Sequence, residues 1–129
     1  MGSPRRLELE IVVPDLAAVG RPSAVVQRQV DAYNARDLEG FLACYSPDIH
    51  ISTRGREDGY SGLTRLRERY QGLFERSPDL HATIVSRLEL GEWVVDEETL
   101  VGHDGSDSFR AIAIYRVQES LIAEVSFLR

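Results

Sequence analysis

Cysteine and long apolar runs are scarce in this 129-residue chain. Its single cysteine, Cys44, excludes an intramolecular disulfide and fits a reducing compartment. No apolar run approaches the roughly 18 residues of a membrane-spanning helix. The first residues, MGSPRRLELEIVV, carry acids within their apolar part and make a poor signal peptide. We therefore expect a cytoplasmic protein that does not enter a membrane.

The chain also has no excess of positive charge, because it contains 15 basic and 21 acidic residues and its formal net charge is −6. Non-specific nucleic-acid binding is therefore not expected. The three histidines, His50, His81 and His103, lack the close spacing that is typical of metal ligands. Each is interpreted as a surface or interface residue, and we predict neither a metal nor a cofactor.

The chain length and a hydrophobic content of 43% fit one globular domain. Residues 1–22 form an N-terminal extension, interrupted by Pro14, Gly20 and Pro22. Alternation over residues 7–11 predicts a short strand there, although the extension could also swap to a partner subunit or stay mobile. Residues 23–129 form the domain itself.

Three amphipathic helices are predicted in the first half of the domain. The first covers about residues 24–34 with Ser23 as N-cap, and the second follows Asp37 as N-cap and ends at Ser46-Pro47. The third covers about residues 63–76. A strand with Ile49, Ile51 and Thr53 on one side is predicted between the second helix and the third.

Period-two patterns take over after Pro78 and predict four consecutive strands at about residues 80–90, 93–101, 109–117 and 121–128. In the first of these, one face carries Ala82, Ile84, Ser86, Leu88 and Leu90. Helices followed by hairpin-connected strands indicate an α+β fold with an antiparallel sheet.

This order of elements resembles the nuclear transport factor 2-like superfamily, and most of all its bacterial SnoaL-like and ketosteroid-isomerase-like members. The resemblance lies in AYNARDLEGFLACYSPDIHI (residues 32–51), GLTRLRERYQGLF (62–74) and AIAIYRVQESLIAEVSFL (111–128). It implies a cone, in which a strongly curved antiparallel sheet wraps around the three helices and encloses an apolar pocket. It also implies a homodimer packed through the outer face of the sheet.

The catalytic residues of ketosteroid isomerases do not carry over to this chain. Gln29 stands where the resemblance implies a tyrosine, Thr53 where it implies the carboxylate base, and Ala113 where it implies a protonated aspartate. A threonine hydroxyl is too weak a base to remove a carbon-bound proton. Steroid isomerisation by that arrangement is therefore not expected, and enzymatic activity stays open.

Weak candidates for a replacement base lie on the strand over residues 93–101. If Glu97 faces inward, its carboxylate enters an apolar pocket and its pKa rises. In the opposite register Asp96 and Glu98 face inward. A third interpretation, in which these acids form a solvated edge, is the ordinary one for such a run.

The remaining candidate residues are predicted from position alone. Arg65, Arg67 and Arg69 fit a solvated helix face, with anion binding as the alternative. Cys44 is interpreted as a small buried hydrophobe. The predicted pocket-lining residues are Gln29, Tyr33, Thr53, Tyr60, Ser86, Trp93, Phe109 and Ala113.

Three hypotheses for function follow. The first is a SnoaL-like protein that binds a small apolar molecule. The second is an isomerase, cyclase or hydratase that acts on a hydrophobic substrate, with Glu97 or Asp96 as base and Tyr33 or Gln29 as hydrogen-bond donor. The third is a non-catalytic interaction or dimerisation module.

Overall fold

The computed structural model describes residues 20–129, so the strand predicted over residues 7–11 lies outside the described part. The three helices and six strands follow each other in this order: α1 (Pro22–Ala35), α2 (Leu38–Leu42), β1 (Tyr45–Thr53), β2 (Tyr60–Ser61), α3 (Leu63–Arg76), β3 (His81–Leu90), β4 (Trp93–Val101), β5 (Phe109–Gln118) and β6 (Leu121–Leu128). The α+β class predicted from the sequence is confirmed, and so is the order of the elements apart from the two-residue strand β2, which was not predicted.

The ends of helix α1 differ from the prediction. The helix begins at Pro22 with Arg21 as N-cap, since proline is well suited to a first helical position. Ser23 is therefore not the cap, and its backbone N–H donates to the Glu89 carboxylate at 2.8 Å. The helix stops at Arg36, which has a left-handed φ of 53°.

Helix α2 has the predicted N-cap and a shorter course. Asp37 accepts a hydrogen bond from the Gly40 backbone N–H at 3.1 Å. The helix ends at Leu42, so Pro47 does not terminate it and lies inside β1. Proline has no N–H to give to a strand ladder, and the pairing of β1 with β6 is irregular between Tyr45 and His50.

The six strands form one curved, unclosed sheet in the order β2-β1-β6-β5-β4-β3. Strands β3 to β6 pair as an antiparallel meander. Strand β1 pairs with β6 in the parallel direction, at the β6 end of this meander. This single parallel pair was not predicted. It brings β1, which follows the helix pair, beside the last strand of the chain.

An irregularity in β3 changes which of its residues face inward. The register with β4 shifts between Ile84 and Ser86, as a β-bulge does. Beyond it Arg87 faces the concave side with Asp96, while Leu88 is 72% exposed on the convex side. The predicted single face of alternate residues therefore holds only as far as Ile84.

Helices and concave sheet face enclose a core that is rich in aromatic rings. The Phe41 ring lies 4.5 Å from the Tyr70 ring and 4.9 Å from the Tyr45 ring, measured between centroids. Tyr33 and Phe74 complete this cluster. Cys44 is buried, as expected. The rings fill much of the cone, and this limits the space left for a ligand.

None of the helices in the described residues combines the length and apolar character that crossing a membrane requires. Within the same part of the chain, no three His, Cys, Asp or Glu side chains are grouped as a metal site would need.

Candidate functional site

The interior of the cone holds a small cavity between α1, α3 and the concave sheet face. Its volume is about 30 Å³, which is enough for one water molecule. The polar side chains on its wall are Gln29, Tyr33, Tyr45, Tyr70, Glu98, His103, Tyr115 and Arg129. The lining is thus more polar than the apolar pocket that the sequence predicts.

A wider cavity of about 190 Å³ opens at the mouth of the cone. It shares Tyr70, Leu73, His103, Phe127 and Arg129 with the inner cavity. The rest of its wall consists of Ile51, Thr53, Tyr60, Arg69 and Arg76. The two cavities therefore adjoin, with a ligand-sized outer space leading to a water-sized inner one.

All five tyrosines of the chain lie on the walls of these two cavities. Burial is the main cause that raises the pKa of each phenol above its ordinary value. The phenols consequently stay protonated at neutral pH and can donate hydrogen bonds. This concentration of donors in one space is the main chemical feature of the interior.

Gln29 orients two of the phenols from helix α1. Its side-chain nitrogen donates to the Tyr115 hydroxyl oxygen at 3.0 Å, and its side-chain oxygen accepts from the Tyr45 hydroxyl at 2.9 Å. The Tyr115 hydroxyl uses a lone pair in this contact, so its own proton remains available. Gln29 therefore supports two tyrosine hydroxyls by hydrogen bonds.

Glu98 is the acid of this interior. It projects from β4 into the inner cavity and is 5% exposed. Among the hydrogen bonds of residues 20–129, none involves its carboxylate. The pKa of Glu98 is raised to about 7, mainly by burial. The positive charge of Arg129 lowers this pKa, and the negative charge of Asp96 raises it. Both protonation states are therefore populated near neutral pH.

Asp96 faces inward two residues earlier on β4 but has a different environment. Its carboxylate is fully buried and receives two hydrogen bonds from the Arg87 guanidinium, at 2.6 and 2.8 Å. Arg87 also donates to Gln27 of α1 at 2.8 Å. Asp96 does not line either cavity, so it is a structural partner that ties the sheet to α1.

The alternatives left open for β4 are resolved by its register. Asp96 and Glu98 are buried, so the interpretation of these acids as a solvated edge is wrong for both. Glu97 lies on the convex face, where Arg110 and Ser86 donate to its carboxylate. The Arg110 hydrogen bond is the main cause that lowers the pKa of Glu97, which makes it a poor base.

Four of the predicted pocket-lining residues lie on the cavity walls. Gln29 and Tyr33 line the inner cavity, and Thr53 and Tyr60 line the mouth. Thr53 reaches it as the last residue of β1, on the same strand face as Ile49 and Ile51.

The other four lie elsewhere, contrary to the sequence-based expectation. The β3 bulge turns Ser86 to the convex face, and Trp93, at the start of β4, is 42% exposed. Ala113 is fully buried under its neighbours in the sheet. Phe109 packs edge-on against His103 at 5.5 Å, beside the mouth rather than on its wall.

The histidines divide differently from the prediction. His50 and His81 are exposed, as expected. His103 lies in the turn after β4 and lines both cavities. Burial, followed by the charge of Arg129, lowers the pKa of His103, so its imidazole is neutral at pH 7. The sequence did not predict this placement, because the turn folds back over the open end of the cone.

Sequence reasoning also missed Tyr45, Tyr70, Tyr115 and Arg129 as members of the site. The three tyrosines are hard to tell from core residues in the sequence, since core and cavity wall are the same surface here. A usable signal was the number of tyrosines on inward-facing positions, because phenol groups in a core require hydrogen-bond partners. Arg129 carried no pattern of its own.

Comparison with known proteins agrees with this architecture. The model of the SnoaL-like domain family matches residues 26–125. A cystatin-fold protein from Novosphingobium aromaticivorans is 24% identical with a TM-score of 0.77, covering 84% of this chain and 98% of its own.

Two further solved structures share the fold at lower identity. A protein with a ketosteroid isomerase-like fold from Catenulispora acidiphila, in complex with trimethylamine, is 14% identical with a TM-score of 0.68, covering 80% of this chain and 82% of its own. An LEH-like epoxide hydrolase from M. tuberculosis is 17% identical with a TM-score of 0.71, covering 81% and 78%. At these identities the likeness concerns the fold alone.

Proposed function

The chain belongs to the SnoaL-like domain family, and from this premise we propose that it acts on a small molecule by proton transfer, with Glu98 as the acid–base group. The observation that carries the proposal is the position of the Glu98 carboxylate, which is buried at a cavity rich in phenol donors. A general base works best when its pKa lies near the operating pH, and the pKa of Glu98 is about 7.

The proposed step starts with a substrate carbonyl inside the cone. The Glu98 carboxylate takes a proton from the carbon next to that carbonyl, and the electron pair of the C–H bond moves to give an enolate. The Tyr115 hydroxyl, which is oriented by Gln29, donates a hydrogen bond to the enolate oxygen. Protonated Glu98 then returns the proton to the same carbon or, where a conjugated C=C bond makes the intermediate a dienolate, to its γ carbon.

Solvent exchange tests this step with a small neutral ketone, 4-oxopentanamide, in D₂O. We expect the wild-type protein to speed deuterium entry next to the ketone, as followed by NMR. Glu98→Gln should lose about 100-fold or more of this rate, which is the usual contribution of a general base. Glu97→Gln is the matched control, because the adjacent carboxylate lies on the convex face.

The control variant should keep the wild-type rate. Equal rates for the two variants, or a wild-type rate no faster than buffer between pH 5 and pH 9, would show that Glu98 does not act as the base.

A second candidate is activation of water, favoured by the size of the inner cavity. A volume of about 30 Å³ beside Glu98 fits one water molecule, while the mouth has room for an electrophile. Glu98 would take a proton from the water as its oxygen attacks a carbon of an epoxide. The ring C–O bond breaks, the leaving oxygen takes a proton from a tyrosine hydroxyl of the wall, and protonated Glu98 restores that proton. Hydrolysis of 1,2-epoxybutane in ¹⁸O-water would then yield labelled diol with wild-type protein and not with Glu98→Gln.

A further inference from the structure

The mouth of the cone is positively charged in a protein whose net charge is −6. Its wall contains Arg69, Arg76, Arg129 and His103, and none of the residues that line it is an acid. Among the described residues, the basic side chains of this wall come from α3, from the turn after β4 and from the end of the chain. Separate segments thus contribute cations to one opening.

Two of these cations are already neutralised. Arg76 forms an ion pair with Asp104 at 2.9 Å. His103 has a lowered pKa, which burial causes in the first place, so it carries no charge at neutral pH. The charge available to a ligand at the mouth is therefore that of Arg69 and Arg129.

Aromatic rings hold both of these guanidinium groups. The Arg69 guanidinium carbon lies 4.4 Å from the centre of the Tyr60 ring, and that of Arg129 lies 4.3 Å from the centre of the Phe127 ring. Stacking occupies the face of a guanidinium and leaves the N–H groups at its edge free to donate. The two groups are thus positioned without using their hydrogen-bond donors.

Five of the thirteen arginines in residues 20–129 form ion pairs within that part of the chain, and Arg69 and Arg129 are not among them. Within residues 20–129, Arg67, Arg76, Arg87, Arg110 and Arg116 each have a carboxylate partner. In the same residues, Arg69 and Arg129 have no carboxylate within 4.0 Å. Within the described residues, no carboxylate side chain therefore competes with an anion for these two guanidinium groups.

We infer that the substrate of this site is a small carboxylate whose anionic end binds Arg69 and Arg129 at the mouth while its reacting carbon extends past Tyr70 toward Glu98. The reaction in this inference rests on the proposed function, and the substrate class rests on Arg69 and Arg129 at the mouth. Guanidinium groups suit carboxylates because their N–H groups match both oxygens.

The test compares two ligands of the same length and shape, 4-oxopentanoate and its neutral amide, 4-oxopentanamide. We expect the wild-type protein to bind the carboxylate about tenfold or more tightly than the amide in calorimetric or NMR titrations. Arg69→Gln and Arg129→Gln should each weaken carboxylate binding about tenfold and leave amide binding unchanged. Retained amide binding shows that the variants are folded.

Arg67→Gln is the matched control for Arg69→Gln. Arg67 lies on the same helix, two residues away, and pairs with Glu39 outside the cavity. Carboxylate binding should be unaffected in this variant. The inference is overturned if the wild-type protein does not prefer the carboxylate, if neither ligand binds, or if all three arginine variants behave alike.

Glu98→Gln separates this inference from the proposed function. We expect it to keep or improve carboxylate binding, since it removes a negative charge near Arg129, and to lose deuterium exchange. Selective carboxylate binding with exchange that is insensitive to Glu98→Gln would retain the inference and remove the function. Glu98-dependent exchange without a preference for the carboxylate would support the proposed function and contradict the inference about the substrate.

Discussion

Two carboxylates on one strand face illustrate how much the environment of a single residue decides. Asp96 and Glu98 are both buried on the concave side of β4. Asp96 receives two charge-assisted hydrogen bonds from the Arg87 guanidinium. Glu98 instead faces a cavity lined by phenols, and burial raises its pKa to about 7. Asp96 therefore has a structural role, and the Glu98 carboxylate lies where it can contact a ligand.

The raised pKa of Glu98 predicts a specific dependence of stability on pH. Between its ordinary pKa of 4.5 and about 7, the folded protein holds a proton on Glu98 that the unfolded chain releases. Stability must then fall as pH rises through this range, by about 3 kcal/mol at about 1.4 kcal/mol per pKa unit. Glu98→Gln should remove this part of the slope.

Urea unfolding of wild-type protein and Glu98→Gln at pH 4.5 and pH 8 measures the effect. The variant should gain up to about 3 kcal/mol on the wild type between these two values, because other titrating groups cancel in the difference. Parallel pH profiles would mean that Glu98 titrates as an ordinary surface glutamate.

At the scale of secondary-structure elements, local signals determined the start of α2 and both ends of α3, and one strand departed from its pattern. Asp37 caps α2, and α3 covers residues 63–76 as predicted. Strand β3 follows its period only as far as the bulge, and beyond it the inward residue is Arg87. That bulge provides Asp96 with its partner, so an irregularity in one strand stabilises a buried charge in the next.

The cap of α2 gives a prediction for an element of only five residues. Asp37→Ala removes the acceptor of the Gly40 N–H, and we expect it to lower the free energy of unfolding by about 1 kcal/mol. Asp37→Asn keeps a side-chain oxygen at the same place and should be close to the wild type. Urea unfolding of the three proteins at pH 7 measures the difference, and an equal loss in both variants would assign the effect to charge rather than to capping.

At the scale of the whole molecule, the concave face of the sheet is covered and part of the convex face is apolar. Leu88, Val95 and Ile114 are cross-strand neighbours in one row over β3, β4 and β5. Leu88 is 72% exposed, and Ile112 is exposed in the adjacent row. Exposed apolar area of this kind is typical of a surface that a second chain covers.

We therefore expect a homodimer that is formed through this convex face. Light scattering after gel filtration should give about twice the chain mass of 14.5 kDa at micromolar concentration. Leu88→Glu places a charge on the most exposed residue of the row, at its β3 end, and should yield monomers. Glu39→Gln on α2 should leave the mass unchanged. A wild-type mass of one chain would contradict the proposed dimer.

The amino-acid sequence by itself determined the family and the order of the elements. Some signals act between residues that are close in the chain, so they can be recognised without knowledge of the fold. They are the helix and strand periods, the Asp37 cap of α2 and the end of α3 before Ser77-Pro78. The family assignment and the α+β fold agree with the SnoaL-like match over residues 26–125.

Only the tertiary structure decided which groups meet inside the cone. The face of β4 that turns inward depends on how the curved sheet packs against α1. A shift of the strand register by one residue would turn Glu97 inward in place of Glu98. The β3 bulge, His103 above the opening and Arg129 beside it depend equally on contacts between distant segments. The physical reason is that burial, and with it the pKa of a carboxylate, is set by neighbours in space, which a local sequence pattern does not contain.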